Sequence, residues 1–240
     1  MEQFVLFGRS HINALMVILV FTAFGPWLIK RYFTPQMEYY FRISLIALIW
    51  GQEIALNLWR IHNNVWELKE SLTLHLCGLA ILVLPVMLAT KKYFLYELTY
   101  FWGMGGATQA LLTPNIIDPF PSFRFFQFFL SHGVIVFTVI YATLMFNFQP
   151  TFRSVGKAFL VTVSLMLPIG IINSVLGTNY FFIAHKPETA SILDIMGPWP
   201  WYLIPLVGLG AVIFLLVYLP FPVIRRFSKP VSIRDDSPAF

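Results

Sequence analysis

Seven apolar stretches, each about as long as a bilayer is thick, constrain this chain more than any other feature. A helix needs about 20 mostly apolar residues to cross the hydrocarbon layer. Such stretches run near 11–29, 41–60, 72–90, 93–113, 125–147, 158–178 and 201–221. The connections are short, which leaves no room for a separate soluble domain. Composition agrees: of 240 residues, 58% are hydrophobic and 11% charged, where soluble domains carry about 25% charged. One core cannot hide so much apolar surface, whereas lipid accepts it directly. The expected fold is all-α: a polytopic bundle of seven transmembrane helices over residues 1–224, followed by a polar cytoplasmic tail over 225–240. Glu2 precedes the first stretch and no small-residue cleavage site follows it, so that span is expected to be retained.

Orientation follows from the cations. Lys30, Arg31, Arg42, Lys91, Lys92, Arg153, Lys157, Arg225, Arg226, Lys229 and Arg234 fall on one side of the seven spans. Arg9, Arg60, Lys69, Arg124 and Lys186 fall on the other. The positive-inside bias puts the N-terminus outside and the C-terminus in the cytoplasm of a cell membrane. The net charge of +5 is scattered between apolar segments, which argues against nucleic acid as a partner. Cys77 is the single cysteine, so neither an internal disulfide nor a cysteine metal cluster is available. No metal and no organic cofactor are expected.

Polar groups inside a bilayer are costly, so their depth is informative. The first span carries His11 and Asn13 near its outer end; the second carries Glu53, Asn57 and Arg60 on one helical face. His75 and Cys77 open the third span, and Gln109, Thr113 and Asn115 end the fourth. Gln127, Ser131 and His132 begin the fifth, and Asn173, Ser174 and Asn179 end the sixth. Glu97 is the main polar group expected in the opposite half. The gathering reads as a functional outer-leaflet cavity or as interhelical glue. Interface snorkelling covers Arg60, Arg124 and His11; it does not readily cover Glu53, Cys77, His132 or Asn173.

Cys77 is the candidate nucleophile. A cysteine attacks an acyl carbonyl as its thiolate and needs a base beside it. Cys77 is expected roughly 8 Å, and His132 roughly 10–12 Å, below the outer ends of their helices. The two meet only if the third and fifth spans are neighbours. A lone membrane cysteine is more often a small packing residue, and His132 an interhelical hydrogen-bonding group. His75 lies two residues from Cys77, about 200° around the helix, and so is expected to face elsewhere. Glu53 is expected to be protonated, paired with Arg60 or a histidine, or exposed to water; orienting a catalytic histidine is a further role. Asn115, Gln109 and Asn173 are equal candidates to hold a developing oxyanion. The proline-rich, aromatic loops 113–124 and 179–201 either roof the cavity or anchor in the interface.

Leu74-His75-Leu76-Cys77, Ser131-His132, and the loop from Asn179-Tyr180 through Pro198-Trp199-Pro200-Trp201-Tyr202, set among seven spans, resemble the bacterial YwaF family of integral membrane proteins. That family is similar to vertebrate transmembrane protein 164, described as an acyltransferase that remodels ether phospholipids through a cysteine and a histidine. More distantly it is similar to the androgen-induced membrane hydrolases, which use threonine and histidine. The resemblance implies a multi-pass protein of a bacterial plasma membrane with an extracytoplasmic site. It also implies a lipid ester as substrate, Cys77 as nucleophile through a thioester, and His132 as its base; no protein partner is implied. The rival reading is a small-molecule transporter or sensor subunit binding a polar solute in the same cavity, although inverted repeats and paired broken helices are lacking. A third is a structural partner in a cell-envelope complex.

Overall fold

Backbone that faces lipid must satisfy its own hydrogen bonds, so the apolar stretches fold as helices. The computed structural model describes residues 4–187 and 192–227. In chain order these give α1 (Arg9–Tyr32), α2 (Pro35–His62), α3 (Leu68–Ser71), α4 (Leu76–Thr90) and α5 (Tyr93–Trp102). A π-helical turn, Gly103–Ala107, joins α5 to α6 (Thr108–Leu112). Then follow α7 (Phe123–Met145), α8 (Phe152–Leu176), α9 (Leu203–Tyr218) and α10 (Pro220–Phe227). No strand occurs among the described residues. With α5, the π turn and α6 counted as one rod, and α3 and α10 as appendages, seven helical rods result. Among the described residues, five stretches are long and apolar enough to cross a membrane: α1, α2, α7, α8 and Leu203–Val223.

Local chemistry sets the ends. Thr34 Oγ1 accepts the Met37 amide at the start of α2, with Pro35 in the first turn. Ser122 caps α7 in the same way, and Thr151 and Ser154 cap α8 reciprocally. Gly177, at φ +64°, closes α8 in the left-handed conformation that glycine adopts freely.

α7 is the most buried long helix and packs against α1, α2, α4 and the π turn. Glycines allow two of these approaches: Gly133 lies against Ile18 of α1, and Gly103 against Ile135 and Val139 of α7. On the far side, α5 contacts α8 and α9. The Trp102 indole donates to Thr162 Oγ1 at 2.8 Å, and the Phe101 and Phe214 rings lie 5.2 Å apart. Met16, Trp27, Leu167, Val175 and Ile204 point outward into what would be lipid.

The hydroxyls of Thr22 and Thr138 are buried without a hydrogen-bond partner. An unsatisfied buried hydroxyl costs about 1–3 kcal/mol, and an isosteric apolar group removes that cost. Thr138→Val should therefore raise the thermal unfolding midpoint in detergent.

Three expected span boundaries are corrected. The third helix begins at Leu76, because residues 72–75 are bent and non-helical. The fourth rod is interrupted by the π turn Gly103–Ala107, where three glycines give the backbone freedom to leave the α ladder. The seventh breaks ahead of Pro220, which cannot continue the hydrogen-bond ladder of α9. The expected tail from 225 begins inside α10, and residues 228–240 lie outside the described residues.

Polarity is also spread differently from the expectation. The ion pairs found among the described residues, Arg42–Glu38 and Lys157–Glu97, both 3.0 Å, lie at the end of the bundle opposite Cys77. Glu38 also accepts from Tyr141, and Arg42 donates to the Leu88 carbonyl. Glu97 further accepts from Ser154 at 2.6 Å. Each is a carboxylate that burial forces into full partnership. The Glu97 end is thus as polar as the Cys77 end; its charges are spent on structure.

Candidate functional site: Cys77, the π turn and His132

The segment before α4 explains where Cys77 sits. The Tyr180 hydroxyl donates to the Leu68 carbonyl at 2.6 Å and accepts from the Leu72 amide at 3.0 Å. Tyr180 is in turn held by Asn173. Its backbone amide donates to Asn173 Oδ1 and its carbonyl accepts from Asn173 Nδ2, both at 2.9 Å. Thr178 adds a third bond to Asn173 Oδ1, at 2.7 Å. Non-helical backbone at membrane depth is tolerated where protein buries it, and this clamp does so. The chain then folds over Gly78 so tightly that a Cβ there would lie 2.6 Å from the Thr73 carbonyl oxygen.

Cys77 therefore stands in the first turn of α4 rather than 8 Å along it. The amides of a first turn have no intrahelical partners, and the His75 side chain does not cap them. That end of a helix favours negative charge. The Cys77 thiol is half-buried and faces the π turn, with its sulfur 3.3 Å from where a Cβ on Gly106 would lie.

His132 approaches the same turn from α7. Leu111 accepts from His11, whose ring lies 5.6 Å from that of Phe129, while Gly103 meets Ile135 and Val139. This antiparallel register puts Gly106 within one helical turn of the level of His132. His132 Nδ1 lies 2.9 Å from the Phe128 carbonyl. A carbonyl only accepts, so Nδ1 carries the hydrogen and Nε2 keeps its lone pair. The neighbourhood that the sequence left open is present: α4 packs against α7. No hydrogen bond joins Cys77 directly to His132 among the described residues.

The other candidates divide into structural pins and bystanders. His11 is fully buried, accepts from the Phe7 amide and donates to Leu111, both at 2.9 Å, which ties α1 to α6. His75 points away from Cys77 and packs on Tyr180 and Phe182, with ring centres 5.1 and 5.3 Å away. Glu53 forms no ion pair with Arg60 or a histidine among the described residues. Its carboxylate instead accepts from Thr73 Oγ1 and Asn57 Nδ2, both at 3.4 Å. Asn57 also takes the Trp66 indole hydrogen at 3.1 Å. This group braces the segment before Cys77. Arg60 is half-buried at the end of α2. Ser131 is buried in α7 beside His132. Asn173 is consumed by the clamp. Gln109 is exposed and bonds to Thr113, and Asn115 is exposed in the following loop.

Sequence reasoning overlooked the π turn and Tyr180. Three glycines in five residues inside a span were the available signal for the first, since π bulges favour functional sites. It also overlooked the bridge from Gln127 to Gln52 at 2.9 Å, which Arg124 extends and which ties α7 to α2. No cluster of three His, Cys, Asp or Glu side chains suits a metal ion among the described residues.

The fold is that of a multi-pass helical membrane protein. Its family is equally plain: the TMEM164 family model matches residues 6–218, and the chain belongs to that family. The chain is also similar to an uncharacterized protein of Treponema pallidum (strain Nichols), 24% identical over 221 residues, which covers 91% of this chain and 90% of the relative. No solved structure matches.

Proposed function

We propose that this chain, as a bacterial YwaF-type member of the family, is a membrane-embedded lipid acyltransferase or acyl hydrolase using Cys77 and His132. The observation that carries the reading is the shared π turn. The Cys77 thiol rests against Gly106, and His132 lies within one helical turn of that level on the adjoining helix, with Nε2 left to accept a proton. The family resemblance points to the same two residues.

In the proposed reaction His132 Nε2 takes the thiol proton as the sulfur attacks the ester carbonyl carbon. The carbon–oxygen bond breaks, and the leaving lipid oxygen takes the proton from the imidazolium. An acyl thioester on Cys77 remains. A lysolipid hydroxyl or water, deprotonated by His132, attacks the thioester, and the carbon–sulfur bond breaks to restore the thiol. Substrate binding draws the two groups together, since catalytic hydrogen bonds are often long before it. The first-turn amides of α4 are better oxyanion donors than Asn173, Gln109 or Asn115, because they sit beside the sulfur with no intrahelical partner.

The test is turnover of a phospholipid with an isotopically labelled acyl chain by the purified protein, with lysolipid supplied as acceptor. Turnover by the wild type that is lost in Cys77→Ala and His132→Ala supports the reading. Full turnover in both variants refutes the pair.

The cation asymmetry places the Cys77 end outside the cell in this reading. Asn64 lies in a tight turn at that end. Asn64→Cys in a Cys77→Ala background should label with an impermeant maleimide in intact cells. Labelling only after lysis would reverse the orientation.

A further inference from the structure

A cavity of about 910 Å³ lies on the opposite face of α7 from the π turn, walled by α1, α2 and α7. Its mouth, at the Cys77 end, carries Arg9 and Asn13, and its walls include Phe21, Leu48, Leu130 and Phe137. Arg9 is the single charged residue of the lining and forms no ion pair among the described residues. Phe21, Leu48 and Leu130 are exposed, so the cavity is a groove open sideways to the membrane. Arg9 and Phe21 are twelve residues apart on one helix, about 18 Å at 1.5 Å per residue. Half of a hydrocarbon layer about 30 Å thick is about 15 Å. The groove is therefore as long as one leaflet's acyl chain.

We infer that this groove holds one acyl chain of an anionic phospholipid, with its phosphate at Arg9. The charge pattern selects this occupant. A lone cation at the headgroup level, followed by a leaflet's depth of apolar wall without an acidic group, matches a phosphate followed by hydrocarbon. A guanidinium also pairs with phosphate oxygens in a fixed fork geometry. The inference does not depend on the chemistry at Cys77, because α7 separates the two.

The experiment is lipid retention by the purified full chain, read by native mass spectrometry after exchange into detergent. Phosphatidylglycerol, phosphatidylcholine and palmitate are supplied in separate arms. The wild type should retain one phosphatidylglycerol at least fivefold more than phosphatidylcholine. Arg9→Gln should remove that preference. Leu48→Trp, which fills the groove from its exposed wall, should remove retention of both phospholipids. Leu130→Trp serves as a second filler if Leu48→Trp unfolds, and thermal unfolding reports whether each is folded. Equal retention of the two phospholipids by the wild type, palmitate in place of phospholipid, or undiminished retention in folded filler variants overturns the proposal.

Discussion

Cys77→Ala, His132→Ala and the double variant are expected to lose lipid acyl transfer to one common floor, each falling by about 10³-fold or more. The common floor distinguishes a working pair from two independent contributors. If the thiol attacks only when Nε2 removes its proton, losing either partner removes the whole covalent route, and losing the second costs nothing further. Independent roles would instead multiply. The tautomer makes this sharper: Nδ1 of His132 is committed to the Phe128 carbonyl, so Nε2 alone can act. Single-turnover release of the labelled acyl chain, measured for all three variants, decides it. A double variant tenfold or more below either single variant would contradict the pairing.

Asn173→Leu carries the largest expected effect on stability. The buried Asn173 side chain bonds to the Tyr180 amide, the Tyr180 carbonyl and the Thr178 hydroxyl. Leucine leaves all three without that partner in a protected interior, at about 1–3 kcal/mol for each group left unsatisfied. The total is on the order of 3 kcal/mol or more, less whatever the loop recovers by rearranging. Tyr180 would also lose its fixed position, and with it the two bonds that hold Leu68 and Leu72 ahead of Cys77. Thermal unfolding in detergent should show a large drop in midpoint. Thiol labelling of Cys77 should accelerate, because the segment covering it loosens. An unchanged midpoint would mean that water replaces the amide at little cost. Asn173→Asp, which keeps the acceptor for the Tyr180 amide and the Thr178 hydroxyl but loses the donor, should fall between wild type and Asn173→Leu.

Some of this was legible in the chain and some was not. Apolar length and charge scarcity announced helices in a membrane, because the requirement to satisfy backbone hydrogen bonds in lipid depends on composition alone. His75 and Cys77 do face different neighbours, but not for the helical reason expected, because His75 precedes the helix. The depth of Cys77 was not legible. It depends on a tyrosine about a hundred residues away, whose hydroxyl stands between the Leu68 carbonyl and the Leu72 amide where α3 ends. Asn173 was a plausible oxyanion donor only while its partners were unknown.

Sequence alone determined the class of protein and the approximate position of the helices, and offered Cys77 and His132 as candidates. These depend on local hydropathy and side-chain type, which one chain displays directly. Tertiary structure decided the contact of α4 with α7, the meeting of Cys77 with Gly106 and the His132 tautomer. It also decided which polar residues are spent on structure. Lipid solvates every apolar helix face similarly, so hydropathy does not specify neighbours. Close packing at glycines and long-range hydrogen bonds do, and these exist only once the helices have met.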